Sequence, residues 1–347
     1  MAKAHLSPSG TDRRLVITGM GHYFPPEVLT NEFFESLDIG ALAAWTYERV
    51  GIRQRHSVLR AEDIRQLRHG LTSRQDLVNS GRIATMAEMC GEPWQLALSR
   101  SGRTGVPPSV DLVIAGTSVP DWDIPANACS IAAGLGLECA AFDVNSACSS
   151  FIVDLHAARG LMLSGMAKAV AVFNAERYST RLDFSDRSSC MLFGDAATAA
   201  ILSTDAAAHG LELIDTIVES SPVGFQSVRI ADGDTFKQNG AAVQRFAVTK
   251  TVAVTRQLLE RHALTPGDLA YFVGHQANFR MLTSACNRLG ITPAQHLHNV
   301  EMRGNQGGAG APAVLSTHWD RFAVGDLIAV AVVGSGLTWG AALLRRV

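Results

Sequence analysis

The stretch Ala141–Phe151 reads AFDVNSACSSF. An apolar, strand-like run ends in a polar turn, and Cys148 follows with a small residue on each side. From about Ile152 to Ser164 the pattern becomes helical and rich in small residues. A thiol at such a strand-to-helix turn lies near the positive end of the helix, where a thiolate is favoured. His275, in GHQAN, and Asn305, in GNQGGAG, add a base or hydrogen-bond donor and an amide. Together these residue types point to acyl transfer through a cysteine nucleophile.

A cysteine beside apolar residues is by default a buried, inert thiol. Cys90, Cys129, Cys139 and Cys286 are expected to be of that kind, and Cys190, in SSCMLFGD, is expected to line the core. Only Cys148 combines small neighbours with polar candidates elsewhere. Six widely spaced cysteines without a CxxC pair give no metal or disulfide signature and fit a reducing compartment.

At 347 residues and 47% hydrophobic, the chain can bury a core large enough for two domain-sized units. A net charge of -2 argues against a broad nucleic-acid surface. The start, MAKAHLSPSGTDRR, lacks the apolar core of a signal peptide, and later apolar runs such as Ala196 to Leu202 are too short to span a bilayer. A cytoplasmic protein with neither membrane nor nucleic-acid partner is expected.

The first half opens with RRLVITGMGHYFP, a short strand and a glycine turn. Ser57 to Ser109 is polar and helix-capable, with an apolar stripe of Leu67, Leu71, Leu77, Ile83, Met86 and Met89; it is read as a surface excursion packing on the core. Ser109 to Ser118 reads as a buried strand of the kind covered on both faces. The strand into Cys148, its helix, and strands at Ala169 to Phe173 and Ala197 to Leu202 follow. The second half repeats the scheme. A helix from Ala242 to His262 and a Thr265-Pro266-Gly267 turn lead to the strand LAYFVG and His275. Then come a helix from Phe279 to Leu289, a strand-like piece at His298 to Val300, and a helix from Ala311 to Phe322. The buried strand LIAVAVVG, the turn GSGLTWG and the terminal strand AALLRR complete the chain. This alternation argues for a layered α/β architecture. The boundary is placed near residue 205, giving a half of residues 1–205 with the nucleophile and a half of residues 206–347 with His275 and Asn305. Ser220 to Gly240 is a lid or a connection, and is read as a connection.

Six segments, VGIRQRH (50–56), DVNSACSSF, SDRSSCMLFGDAA from Ser185, GHQANFRML, GNQGGAG and GSGLTWGAALLR, span almost the whole chain. Together and in this order they resemble the ketoacyl synthase III family of thiolase-like condensing enzymes. The resemblance implies a thiolase-like five-layer αβαβα fold, two pseudo-duplicated halves and a homodimer. It implies that Cys148 is the nucleophile, that His275 and Asn305 are its catalytic partners, and that the backbone N–H groups of Cys148 and of the Gly334–Gly336 loop, Gly336 in particular, form the oxyanion hole. Cys148 would take an acyl group from acyl-CoA. A malonyl thioester, on acyl carrier protein or coenzyme A, would then lose carbon dioxide and attack it, with His275 and Asn305 donating to its thioester carbonyl. No tightly bound cofactor is implied. Trp45, Arg49 and Arg187 match coenzyme A-contacting positions, an indole to stack and guanidinium groups for phosphate. Arg53 and Arg55 are expected to form ion pairs holding the first helix, Phe279 and Leu282 to pack their helix, and Asp195 to serve as a turn or scaffold residue.

Departures from the family pattern bear on substrate. The usual GNTSAAS-like loop is here GNQGGAGAP, and FGDAATA replaces FGDGAGA. Fatty-acid priming and secondary-metabolite synthesis therefore both stand, and the starter group does not transfer. An acyltransferase or thioesterase-like enzyme without condensation is the alternative, which the retained Asn305 disfavours. A non-catalytic partner subunit is a third reading, disfavoured by an intact Cys148, His275 and Asn305.

Overall fold

The computed structural model describes residues 14–102 and 110–347. The chain opens with β1 (Val16–Tyr23). A hairpin of β2 (Glu27–Thr30) and β3 (Gln54–Ser57) encloses α1 (Asn31–Glu35) and α2 (Ala43–Val50). Three helices follow, α3 (Ala61–Arg68), α4 (Arg74–Asn79) and α5 (Met86–Arg100). Then come β4 (Leu112–Gly116), α6 (Asn127–Gly134), β5 (Ala140–Asp143), α7 (Ser150–Leu163), β6 (Ala169–Glu176) and β7 (Ala196–Ser203). Beyond them lie β8 (Leu211–Ser220), a small hairpin of β9 (Val228–Arg229) and β10 (Lys237–Gln238), and α8 (Gly240–Arg261). The chain ends with β11 (Tyr271–Gly274), α9 (Phe279–Leu289), β12 (His296–Leu297), α10 (Val300–Arg303), α11 (Gly310–Thr317), β13 (Leu327–Gly334) and β14 (Thr338–Arg346).

Ten strands hydrogen-bond in the order β12-β11-β13-β14-β8-β1-β7-β6-β4-β5. The two sides are copies. From β1 through β7, β6 and β4 to β5 the pairings run antiparallel, antiparallel, parallel, parallel. From β8 through β14, β13 and β11 to β12 they run the same way. Within the sheet the copies join where Val16 and Ile17 of β1 face Glu212 and Leu211 of β8.

Each side is covered on both faces, which explains its unbroken apolar strands. Leu155 of α7 and Val314 of α11 share one core with Ile114 and Val172 of one side and Val273 and Ile328 of the other. Adjacent residues turn outward: Val113 and Phe173 pack with Met89 and Trp94 of α5 and Ile131 of α6. On the far side, Phe272 and Ala331 pack with Leu258 of α8 and Ala285 of α9. The layers are therefore helix, sheet, helix, sheet, helix.

Several sequence expectations change. The Ser57–Ser109 region contains α5, a layer of the fold rather than a surface excursion. Gly19 and Gly21 permit this, because a methyl at either would overlap the backbone of Ala97 or Pro93. Leu71 leaves the apolar stripe and is exposed, and Ser109 lies outside the described residues. The strand-like piece at His298 to Val300 is instead β12, two residues earlier. The Asn299 and Val300 N–H groups donate to Gln276 Oε1 at 3.0 and 3.3 Å, and Val300 begins α10. The helix expected to reach Phe322 stops at Thr317, and a turn at Trp319–Arg321 follows. Cys129 is exposed and Cys139 half-buried, unlike Cys90, Cys190 and Cys286. Among the described residues no helix is long and apolar enough to cross a membrane.

Candidate active site

Cys148 sits on a single 3-10 turn, Ala147–Ser149, at the head of α7. Ala147 adopts φ 48°, a left-handed conformation that costs energy outside glycine. Small hydroxyls hold the turn. The N–H and Oγ of Ser149 donate to Ser146 O at 3.0 and 2.7 Å, and Ser146 N–H donates to Ser150 Oγ at 2.9 Å. Gly334, the last residue of β13, presses bare backbone on this turn, since a Cβ there would lie 2.7 Å from Ser149 N. The serines flanking Cys148 are thus the turn's own stitching.

The Cys148 Sγ lies 3.5 Å from Tyr178 Oη. Burial pushes the thiol up to about 12, and the Tyr178 hydrogen bond only partly opposes it. The resting group is a thiol, not the thiolate that helix position alone suggests.

His275 follows β11, and Asn305 follows α10. Burial lowers His275 to about 4, so its imidazole is neutral near pH 7, and its Nδ1 has no hydrogen-bond partner among the described residues. Asn305 is held on three sides. Its N–H donates to Leu192 O at 2.8 Å, its carbonyl accepts from Gly194 N–H at 2.9 Å, and its Oδ1 accepts from Gly307 N–H at 3.0 Å. With Oδ1 engaged, the amide keeps its Nδ2 donor free. The buried Gln276 side chain couples the two loops: Nε2 donates to Gly274 O at 2.7 Å while Oε1 holds the start of α10.

Cys148, His275 and Asn305 line one cavity of about 430 Å³, as do Trp45, Arg49 and Arg187. Gly336 (φ 127°) is not among the residues that line it, although its neighbours Ser335 and Leu337 are. Trp45 and Arg49 are one helical turn apart on α2, which ends at Gly51 in the left-handed conformation. The Arg187 guanidinium lies 5.4 Å from the Trp45 ring centroid and donates to Gly40 O at 2.5 Å. The Ser220–Gly240 segment is more than a connection, because Val228, Phe236 and Gln238 form part of the cavity wall.

Arg53 approaches Glu301 at 4.0 Å and lies over the Tyr47 ring. Arg55 makes no ion pair among the described residues; it is buried and donates to Met191 O at 2.7 Å and Asn31 Oδ1 at 2.5 Å. Phe279 and Leu282 pack with Val50, Ile52 and Val300. Asp195 accepts from Ser179 N–H at 2.9 Å and Val58 N–H at 2.8 Å, a scaffold role. Sequence reasoning missed Tyr178, Ser118 and Glu176, which adjoin Cys148, and the bracing role of Gln276. A carboxylate ending the apolar run AVAVFNAE was the one signal available.

The N-terminal and C-terminal models of the 3-oxoacyl-[acyl-carrier-protein (ACP)] synthase III family match residues 142–222 and 259–346. The β-ketoacyl-[acyl-carrier-protein] synthase III of Rhodobacter capsulatus is 32% identical over 96% of this chain and 99% of its own. The chain belongs to the ketoacyl synthase III family. The enzyme of that name from Roseobacter denitrificans is also 32% identical, with the same coverage. Among solved structures, the 3-oxoacyl-[acyl-carrier-protein] synthase III of Aquifex aeolicus superposes with a TM-score of 0.84 at 29% identity, covering 95% of this chain and 99% of that one. The priming β-ketosynthase of the R1128 polyketide biosynthetic pathway gives 0.82 at 26% identity, covering 99% of both. The layers described above are the thiolase-like fold of this family, and the chain is an acyltransferase of the ketoacyl synthase III class.

Proposed function

We propose that Cys148 takes an acyl group from acyl-CoA and that the acyl-enzyme condenses with a malonyl thioester, releasing carbon dioxide. The observation that carries this reading is the fixed orientation of Asn305 beside a neutral His275 in the cavity of Cys148. Two neutral donors suit a thioester oxygen that gains negative charge as carbon dioxide leaves. Backbone N–H groups of Cys148 and Gly336 serve the tetrahedral oxyanion of acyl loading. Trp45, Arg49 and Arg187 receive the nucleotide end of coenzyme A, consistent with Trp45 and Arg49 lying one turn apart on α2 and Arg187 lying over the Trp45 ring. Coenzyme A enters as substrate and leaves as product. The extender is malonyl-ACP or malonyl-CoA.

In this reading the chain divides near residue 205, between β7 and β8, and acts in the cytoplasm as a homodimer. The edge strand β5 supports dimerisation: it has a neighbour on one side only, and Phe142 on it is exposed. Nearby, Asp143 holds the N-terminus of α6, which follows the exposed Trp122 and Ile124. An unpaired edge with exposed apolar residues favours pairing with a second copy.

Intact-protein mass spectrometry with a panel of acyl-CoA donors tests the function. An adduct is expected on the native protein and not on Cys148→Ala, and malonyl thioester should discharge it to a ketoacyl product. An adduct discharged only by water, alcohol or amine would replace condensation with hydrolysis or acyl transfer.

A further inference from the structure

Behind Cys148, the buried Glu176 and Tyr178 and the half-buried Ser118 have no part in the chemistry above. Glu176, at the end of β6, accepts from the backbone N–H groups of Ser118 and Gly308, each at 2.9 Å, and from Ser118 Oγ at 3.0 Å. Ser118 Oγ accepts from Tyr178 Oη at 2.7 Å, and Tyr178 Oη meets Cys148 Sγ at 3.5 Å. The proton directions follow from valence. An ionised carboxylate only accepts, so Ser118 spends its one proton on Glu176. Tyr178 then spends its own on Ser118, and its oxygen is left to accept the thiol S–H. Every link donates from the Cys148 side toward Glu176. Tyr178 is buried and stacked on Phe193, with ring centroids 4.3 Å apart.

We propose that Tyr178, Ser118 and Glu176 form a proton relay that takes the thiol proton of Cys148 during acyl loading and delivers it to Glu176. The proposal rests on the acyl-loading reading above. As the sulfur attacks the thioester carbonyl, the S–H bond breaks and its proton passes to Tyr178. The Tyr178 proton passes to Ser118, and that of Ser118 to Glu176. When the tetrahedral intermediate collapses, the carbon–sulfur bond to coenzyme A breaks and the proton returns along the relay to the departing sulfur. Thiol and acyl-CoA become acyl-enzyme and free coenzyme A, with no net gain or loss of protons.

The surroundings fit this role. The thiol's hydrogen bond goes to Tyr178 rather than His275. Burial raises Glu176 to about 7, and the nearby Asp195 adds to that, against the hydrogen bonds from Gly308 and Ser118. The other titratable groups around it are Asp154 of α7, whose carboxyl burial pushes well above its ordinary value, and Asp195, which lies beside Arg177. None of the ion pairs among the described residues includes Glu176. The relay also accounts for GNQGGAGAP in place of the family's GNTSAAS-like loop. A Cβ at Gly307 would lie 2.6 Å from both Glu176 Oε1 and Tyr178 Cε2. The space of a side chain at 307 is already filled by the relay.

The rate of iodoacetamide alkylation of Cys148, followed on its own peptide from pH 5 to 9, tests the relay without any acyl donor. The native protein should show an inflection near pH 7, as Glu176 becomes able to accept. Tyr178→Phe and Ser118→Ala should abolish it and slow acyl loading about 100-fold, with coenzyme A affinity unchanged, while Ser118→Thr restores both. An inflection that persists in Tyr178→Phe, with loading at the native rate, overturns the relay. If the inflection depends on Tyr178 but no acyl-CoA loads the protein, the relay stands and the acyl-loading reading falls.

Discussion

The turns Ala147–Ser149 and Gly307–Ala309 hold the same place in the two copies of the strand pattern. Each is one turn of 3-10 helix leading into an inner helix, α7 or α11. Each begins with a left-handed residue, φ 48° at Ala147 and 54° at Gly307. The first turn presents a side chain, the thiol of Cys148. The second presents backbone: Gly307 N–H orients Asn305, and Gly308 N–H holds Glu176. The same correspondence extends to the strand ends. β4 leads to Ser118 where β11 leads to His275, and β6 leads to Glu176 and Tyr178 where β13 leads to Gly334 and Ser335. Duplication thus gathers strand-end loops of both copies around Cys148, and divergence gives them different chemistry. In the proposed division, the first copy would carry the nucleophile and its proton path, and the second the neutral donors.

Three substitutions sharpen or break that division. Asn305→Asp keeps an acceptor for Gly307 N–H but replaces the free donor with an acceptor. Condensation should fall about 100- to 1,000-fold while the acyl adduct on Cys148 still forms, read by product assay and mass spectrometry on one sample. Equal loss of both half-reactions would deny the second copy a separate role. Gly307→Ala comes next, because the added methyl meets Glu176 and Tyr178 at 2.6 Å. It should destabilise the fold by about 1–3 kcal/mol, seen as a lower urea midpoint. An unchanged midpoint would mean that this turn tolerates a side chain as its counterpart at Ala147 does.

The smallest effect concerns Glu176→Gln and appears in the pH dependence of stability. Glu176 titrates at about 7 in the folded protein, above its ordinary value. Its contribution to stability is full below that ordinary value and is lost as pH rises through 7. Glutamine does not titrate. Between pH 5 and pH 8 the difference in unfolding free energy should therefore shift toward the variant, on the order of 2 kcal/mol. A constant difference would show that Glu176 stays in one charge state over this range.

Much of the layered fold was legible because both faces of each sheet are covered, which leaves apolar runs such as LIAVAVVG unmistakable. The inner helix after Cys148 was legible for the same reason. The position of α5 was not, because it depends on Gly19 and Gly21 admitting Ala97 and Pro93 from far along the chain. The break between β12 and α10 was also hidden, since one side-chain oxygen of Gln276 decides it. For the candidate site, motifs singled out Cys148, His275 and Asn305. Tyr178 lay unmarked between the strand and SDRSSC.

The sequence by itself determined the residue types and the loops that carry them. A thiol and an imidazole each follow a strand, an amide follows a short helix, and strand periodicity and turn chemistry are local properties. Tertiary structure alone decided which atoms face one another and in what state. Burial keeps Cys148 a thiol and His275 neutral, and Gly307 N–H decides which end of the Asn305 amide remains free. The approach of Ser118, Glu176 and Tyr178 to Cys148 belongs to the same class. Proton affinity and hydrogen-bond direction depend on neighbours in space, and those neighbours are set by how the two copies pack.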